Sequence, residues 1–385
     1  MVVHPSATSS KTRPVTSSRR EALRDVVRGS AVPLAVYAIS RMVVWVVLGL
    51  VAKVRHHAVG HYLTRWDSHW YIQIARSGYA AGIPRGHGNA AQVNLGFFPL
   101  LPVMIRFTHW VTSLGFAASG EAVAAISGAG AAVAVWWLVR EHYGDTVATR
   151  TTTLIFFSPA AVVFSLVYTE GMVIALVSIT LLALHRHRWI VAGVAAAVAT
   201  ACDPVASAVV LPCAVAAYSA WRSDRDATAW WAPALAPLGI GTFFIYLWAH
   251  TGSPFSWYLA QRQGWQAGPM GTGVFYAMYR VFENGFGDLN SVLKTVTFLA
   301  TIGVVVLWRK LRPPPTWSVY AATVLIFGLL SPIVGISPRL LLRGFPLFAV
   351  VAASVSRQRY LVIVILSAFA MCALTVASTT ISWTP

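Results

Sequence analysis

The stretch AVPLAVYAISRMVVWVVLGLV, residues 31–51, decides the class of this chain. Its single charged side chain is Arg41. A helix of that length crosses the ~30 Å hydrocarbon core of a bilayer. The run is too long for the core of a cleavable signal peptide, so it reads as a retained span. Working outward, further apolar runs lie near residues 121–139, 151–166, 171–184, 189–202, 204–220, 230–249, 292–308, 316–335, 340–355 and 360–381. The expectation is about eleven crossings, with Pro159, Pro204, Pro332 and Pro338 breaking or bounding some of them. Composition agrees: 57% of the 385 residues are hydrophobic, 11% are charged, and the mean hydropathy is +0.65. Soluble domains carry about 25% charged residues. So few charges cannot cover a water-facing surface, which excludes soluble enzymes, disordered hubs and secreted disulfide scaffolds. Cys202, Cys213 and Cys372 lie in apolar runs without C-x-x-C spacing and read as packing residues.

A formal charge of +17 raises the question of nucleic acid, and the positions of the basic residues answer it. Residues 1–30 are Ser/Thr-rich and basic and read as a cytoplasmic, partly disordered tail, leaving 31–385 as a single transmembrane domain. With the tail inside and every run crossing, the inner loops hold Arg140/Arg150, Arg186/Arg188, Arg222/Arg225, Arg309/Lys310/Arg312 and Arg357/Arg359. Every short inner loop then carries at least two basic residues, as the positive-inside rule requires. The surplus charge is a topology signal, with affinity for anionic membrane lipid, and no nucleic-acid partner is expected. Leu95 to Phe116 is apolar but contains Pro99, Pro102, Arg106 and His109. Counting it as a span would invert every later loop, so it reads as an interfacial or re-entrant helix. Two substantial outer loops follow, about 53–120 and about 250–291, the first far longer than a helix connection needs.

Only twelve carboxylates exist, and an acid at a membrane edge is a functional candidate. Asp67 stands out in Arg65-Trp66-Asp67-Ser68-His69-Trp70-Tyr71, just after the first span. On a helix Asp67 and Tyr71 share a face, as do Trp66 and Trp70. A carboxylate between aromatic platforms suits sugar chemistry: the acid takes a hydroxyl proton while flat rings hold the pyranose. The competing reading is an interfacial aromatic belt in which Asp67 caps a helix or pairs with Arg65. Tyr168 and Glu170 fall at another outer junction, where Glu170 orients an acceptor or forms a structural ion pair. Arg339 and Arg343, four apart, share a helical face that grips a phosphate or snorkels to headgroups. The loop from Gly252 to Trp265 adds Gln261 and Trp265 as cleft-lining candidates. Asp224-Arg225-Asp226 matches a metal-binding D-x-D but lies in a short inner loop without a soluble domain around it. The histidines show no H-E-x-x-H, so no metal site or cofactor is expected.

Together these segments resemble the PIG-V-type mannosyltransferases, relatives of GPI mannosyltransferase 2. Arg65 to Tyr71, then Gly78-Tyr79, then Phe97 to Pro102 is similar to their RWDS-WY…GY…FFPLYP signature. Ser158-Pro159-Ala160 with Tyr168-Thr169-Glu170, Gly252-Ser253-Pro254 with Gln261 and Trp265, and Ser337-Pro338-Arg339 through Phe348 follow in family order. The resemblance implies a GT-C-like transmembrane bundle, a catalytic acid in the first outer loop and a polyprenyl-phosphate sugar donor. It places Asp67 as that acid, with Glu170 and Arg339 at matching motif positions. Two departures stand out: Cys202-Asp203-Pro204 where many relatives have Arg-Pro, and Gly171 where they have Ser. Any phosphate contact made by the relatives' Arg would fall here to Arg339 or Arg343.

The expectation is therefore an inverting, metal-independent mannosyltransferase of the plasma membrane, bacterial, with its amino terminus in the cytoplasm and its site on the outer face. Asp67 would be general base, and Arg339, Arg343 or His69 would stabilise the leaving phosphate. Arg65, Trp66, His69, Trp70, Tyr71, Tyr168, Glu170, Gln261, Trp265, Arg339 and Arg343 are the expected substrate contacts. The acceptor could be a glycolipid, a glycan or a protein hydroxyl, and the donor sugar arabinose or glucose instead. The rivals from other classes are a transporter or lipid flippase, for which Arg41 is the one deep charge, and a non-catalytic partner in a glycosylation complex.

Overall fold

The computed structural model describes residues 19–83, 92–265, 272–331, 335–380, 383 and 385; side chains are described from residue 29 onward, Thr272 excepted. Among the described residues the chain is all-α, with no strand. Helix α1 (Arg19–Arg55) contains the opening span. The backbone from Arg19 is already helical, so the expected tail joins the first helix there; residues 1–18 lie outside the described residues. Three short helices follow on the first expected outer loop: α2 (Val59–Leu63), α3 (Asp67–Ser77) and α4 (Leu100–Thr112). At thirteen residues α4 is about 20 Å long, too short to cross, and it leaves Phe107 and Trp110 exposed. Its length agrees with the expectation that this segment is not a span.

Helix α5 (Phe116–Phe156) is two helical segments joined by a break. Gly144 interrupts it with φ 78 and ψ 175, a conformation glycine adopts without the Cβ penalty. The indole Nε1 of Trp136 donates to Thr149 Oγ1 at 3.1 Å. In a straight helix those residues would stand about 20 Å apart along the axis. The chain thus reverses at Gly144, which matches the separate runs expected at 121–139 and 151–166. The second run is not helical throughout: α-helix ends at Phe156 and a 3-10 turn covers Ala161–Ser165.

The remaining helices are α6 (Glu170–His185), α7 (Trp189–Thr200), α8 (Val210–Asp224), α9 (Trp231–Leu235), α10 (Leu238–Thr251), α11 (Ser256–Gly264), α12 (Thr272–Asn284), α13 (Leu289–Leu311), α14 (Pro315–Leu330), α15 (Pro338–Arg343), α16 (Pro346–Ser354) and α17 (Arg357–Ser378). Among the described residues, six segments are long and apolar enough to cross a bilayer; α6, α7 and α14 are shorter apolar helices. The run expected over 340–355 is two short helices, α15 and α16, with Pro346 starting the second. This is a polytopic membrane protein.

Close backbone packing seats α6. A Cβ on Gly171 would lie 2.8 Å from the backbone N of Gly128 in α5. The glycine that departs from the resembled motif is therefore required where two helices touch. Gly171→Ser is expected to destabilise the protein by about 1–3 kcal/mol through overpacking. Thermal unfolding in detergent should show a lowered midpoint, and an unchanged midpoint would contradict this contact.

Arg41, buried in α1, is fully employed. Its Nη1 donates to Ala161 O at 2.7 Å and Ser165 Oγ at 2.9 Å, and Nη2 donates to Phe156 O at 3.3 Å. It satisfies carbonyls left free where α5 ends, as buried backbone acceptors in lipid require. The deep charge that a transporter reading needed is a structural staple.

The loops sort to two ends. Arg186 bonds Glu141 at 2.7 Å, Arg150 donates to Val355 O at 3.4 Å, and Trp189 Nε1 donates to Asp226 at 2.7 Å, linking the loops expected on one side. Asp226 also caps a 3-10 turn by accepting from Thr228 N, so the D-x-D segment is a folded loop.

Candidate active site

The opposite end gathers five charged residues from four parts of the chain. Asp67 begins α3, Glu170 begins α6, Asp203 precedes the 3-10 turn Pro204–Val209, and Arg339 and Arg343 lie on α15. Ser337 caps α15 with its side chain and Pro338 fixes the first turn, which aims both arginines at one carboxylate. Arg339 Nε and Arg343 Nη2 both meet Glu170 Oε1, the latter at 3.0 Å. Arg339 Nη1 then reaches Asp67 Oδ2 at 2.7 Å, and Arg343 Nη2 reaches Asp203 Oδ2 at 2.6 Å. The result is a chain of ion pairs, Asp67–Arg339–Glu170–Arg343–Asp203.

Burial grades this chain. The Glu170 side chain is fully buried and that of Arg343 nearly so, whereas Arg339 is 16% and Asp67 22% exposed. Asp67 is thus the carboxylate that opens outward. Arg339 binds its Oδ2, and no described residue binds its Oδ1. Burial opposes charge on Arg339, but Glu170 and then Asp67 outweigh it and hold its guanidinium pKa well above the usual range. Glu170 Oε2 and Arg343 Nε are buried without a hydrogen-bond partner.

Tyr168 packs against the Asp67–Arg339 pair. Its hydroxyl accepts from the Asp67 backbone N–H at 3.4 Å, and the Arg339 guanidinium sits 4.5 Å from its ring centroid. Ser68 Oγ accepts from Val167 N at 3.1 Å, locking α3 to the segment before α6. Tyr71 lies one turn after Asp67 and is buried edge-on against Phe97 at 5.2 Å. Burial, then the charges of Asp203 and Asp67, push its phenol well above the ordinary tyrosine range, so it stays a neutral donor.

Other expected contacts stand apart from the ion chain. Trp70, Phe97 and Trp265 form an aromatic trio with ring centroids 5.8 to 6.2 Å apart. Gln261 Nε2 donates to Gly96 O at 3.4 Å, so it holds the loop that carries Phe97. His69 is exposed, two residues from Asp67 and on another side of α3. The expected pairing of Trp66 with Trp70 does not occur: Trp66 precedes the helix with φ 57, and its indole turns to Ser378 O. Arg65 pairs with Thr379 O at 2.7 Å, not with Asp67. Asp203, absent from the expected contacts, is the cluster's third acid. Its carboxylate also accepts from Val205 N at 2.8 Å, the one local signal, an Asp-Pro helix start, that the sequence carried.

No protein-family model matches the chain, nor does any curated protein. The chain is similar in structure to ArnT from Cupriavidus metallidurans bound to undecaprenyl phosphate, with a TM-score of 0.51 and 16% identity over 89% of this chain. The apo state of the same ArnT gives a TM-score of 0.44 and 15% identity, covering 79% of this chain and 56% of that one. This chain spans 63% of the length of the undecaprenyl-phosphate-bound protein. The likeness concerns the fold alone: an all-helical membrane bundle.

Proposed function

We propose that the chain is a membrane glycosyltransferase that moves a sugar, mannose by the motif resemblance, from a polyprenyl-phosphate donor to an acceptor hydroxyl. The carrying observation is Asp67: an outward-opening carboxylate on a short helix outside the spans, anchored to a buried ion chain. Three further points support the reading. A protein of this fold was solved with undecaprenyl phosphate bound. The motifs from Arg65 to Phe348 follow the order of the resembled family. The buried Glu170 Oε2 and Arg343 Nε lack a hydrogen-bond partner within the protein, which a catalytic role for the cluster would explain.

In the proposed reaction Asp67 Oδ1 takes the acceptor hydroxyl proton as its oxygen attacks C1 of the sugar. The bond from C1 to the phosphate oxygen breaks, and its electron pair leaves with the polyprenyl phosphate. Attack opposite the phosphate inverts the anomeric centre through an oxocarbenium-like transition state. Phosphate leaves without protonation, so no general acid enters. The charge on it falls to Arg339, the partly exposed cation beside Asp67, and no metal is invoked. Arg343, enclosed by Glu170 and Asp203, acts through Glu170 instead. The site faces outward from a bacterial plasma membrane, with the Arg-rich loops in the cytoplasm.

The test is incubation of purified, reconstituted protein with labelled polyprenyl-phosphate-mannose and a cell lipid extract, with arabinose and glucose donors in parallel. A labelled acceptor product is expected, and its presence with the chain alone also excludes a non-catalytic partner role. Passage of the intact donor across liposomes with no product would overturn the transferase reading in favour of a flippase.

A further inference from the structure

Helix α17 ends at the site, and its last carbonyls have no partner within the helix. Three donors from the first expected outer loop meet them. Trp66 Nε1 donates to Ser378 O at 3.0 Å, Arg65 Nη1 to Thr379 O at 2.7 Å, and Arg55 Nη1 to Thr379 O at 3.2 Å. Two cations at a helix C-terminus are also favoured by its dipole. The Arg65 guanidinium stacks 5.1 Å from the Trp66 ring centroid, which ties the two clamps together.

This anchoring is applied one residue before the candidate base. Trp66 has φ 57 and ψ −131, a strained backbone for a bulky side chain that persists only where its surroundings hold it. The first turn of α3 hangs directly from this pair: Ser68 N donates to Arg65 O at 3.2 Å and His69 N to Trp66 O at 3.1 Å. The other half of the ion pair is held by a residue that follows α17 in the chain. Pro385 O accepts from Arg339 Nη1 at 3.0 Å, the nitrogen that binds Asp67 Oδ2. The one indole donor of Trp66 is occupied, so what it offers is placement.

We propose that the end of α17 is a positioning platform for the Asp67–Arg339 pair, and that Arg65 and Trp66 are its positioning residues rather than substrate contacts. The kinetic part of the test rests on the transferase reading, and the exchange part does not. In the full chain in bilayers, Trp66→Phe and Arg65→Met each remove a donor, while Arg65→Lys keeps one. The expected result for both removals is kcat lowered about tenfold or more with donor and acceptor KM unchanged, since misplacing a reacting group costs rate rather than ground-state binding. Arg65→Lys should restore most of the rate. Amide exchange at Ser68 and His69 should quicken by about tenfold while that of α6 stays as in the wild type. A raised KM with kcat intact would make these residues substrate contacts and overturn the proposal. Unchanged kcat and exchange would overturn it equally. A wild type without transfer activity fails the transferase reading, and exchange then tests the platform alone. Should Trp66→Phe not fold, the comparison of Arg65→Met with Arg65→Lys separates the same outcomes.

Discussion

Asp67→Asn is expected to lower sugar transfer by at least ~10²-fold while leaving the protein folded, because general-base help is typically worth ~10²–10⁴-fold. The amide is nearly isosteric, and its oxygen can still accept from Arg339 Nη1, so the ion chain loses one charge and keeps its shape. What disappears is the ability to take a proton at the oxygen opposite Arg339. Single-turnover transfer from a saturating lipid-linked sugar isolates that step from binding and release. The loss should appear in the rate of the chemical step, with donor affinity preserved. A folded Asn variant with near-wild-type transfer would remove Asp67 from the role.

Arg343→Met should damage stability more than any other change in the cluster. Its guanidinium lies between Glu170 and Asp203, both buried, and its removal leaves two carboxylates facing each other with only Arg339 near. Breaking a buried pair from one side costs about 3–5 kcal/mol, mostly the penalty of an uncompensated charge. Adding Asp203→Asn to Arg343→Met should recover more than about 1 kcal/mol of that loss, the coupling expected of groups in contact. Denaturation in detergent reads both effects. If the single variant is as stable as the wild type, Arg343 does not hold these acids in place.

The distribution of apolar runs made the class legible, because hydrocarbon solvent leaves a coarse signature that needs no tertiary information. Of about eleven expected crossings, six described segments are long and apolar enough to be spans. The runs could not show that α-helix stops at Phe156 and gives way to a 3-10 turn, since that depends on local backbone geometry. At the site, Asp67, Glu170 and Arg339 stood in recognisable motifs, but their mutual contact did not: Arg339 is 272 residues from Asp67. Asp203 was visible only as a departure, because its partner Arg343 is 140 residues away. The shared face assigned to Trp66 and Trp70 failed for a specific reason. Helical spacing applies only inside a helix, and Trp66 stands just before one, turned by a positive φ toward α17.

Arg41 has a consequence for biosynthesis. Its principal acceptor, Ala161 O, is 120 residues later in the chain. At ribosomal rates of about 5–20 residues per second, on the order of ten seconds separates the emergence of this guanidinium from that of its carbonyl. During that interval the first helix carries an unmatched cation whose insertion at mid-membrane costs roughly 2.5–3.5 kcal/mol. The nascent first helix should therefore linger beside the translocon, and settle in lipid only once the turn that ends in Ser165 has been made.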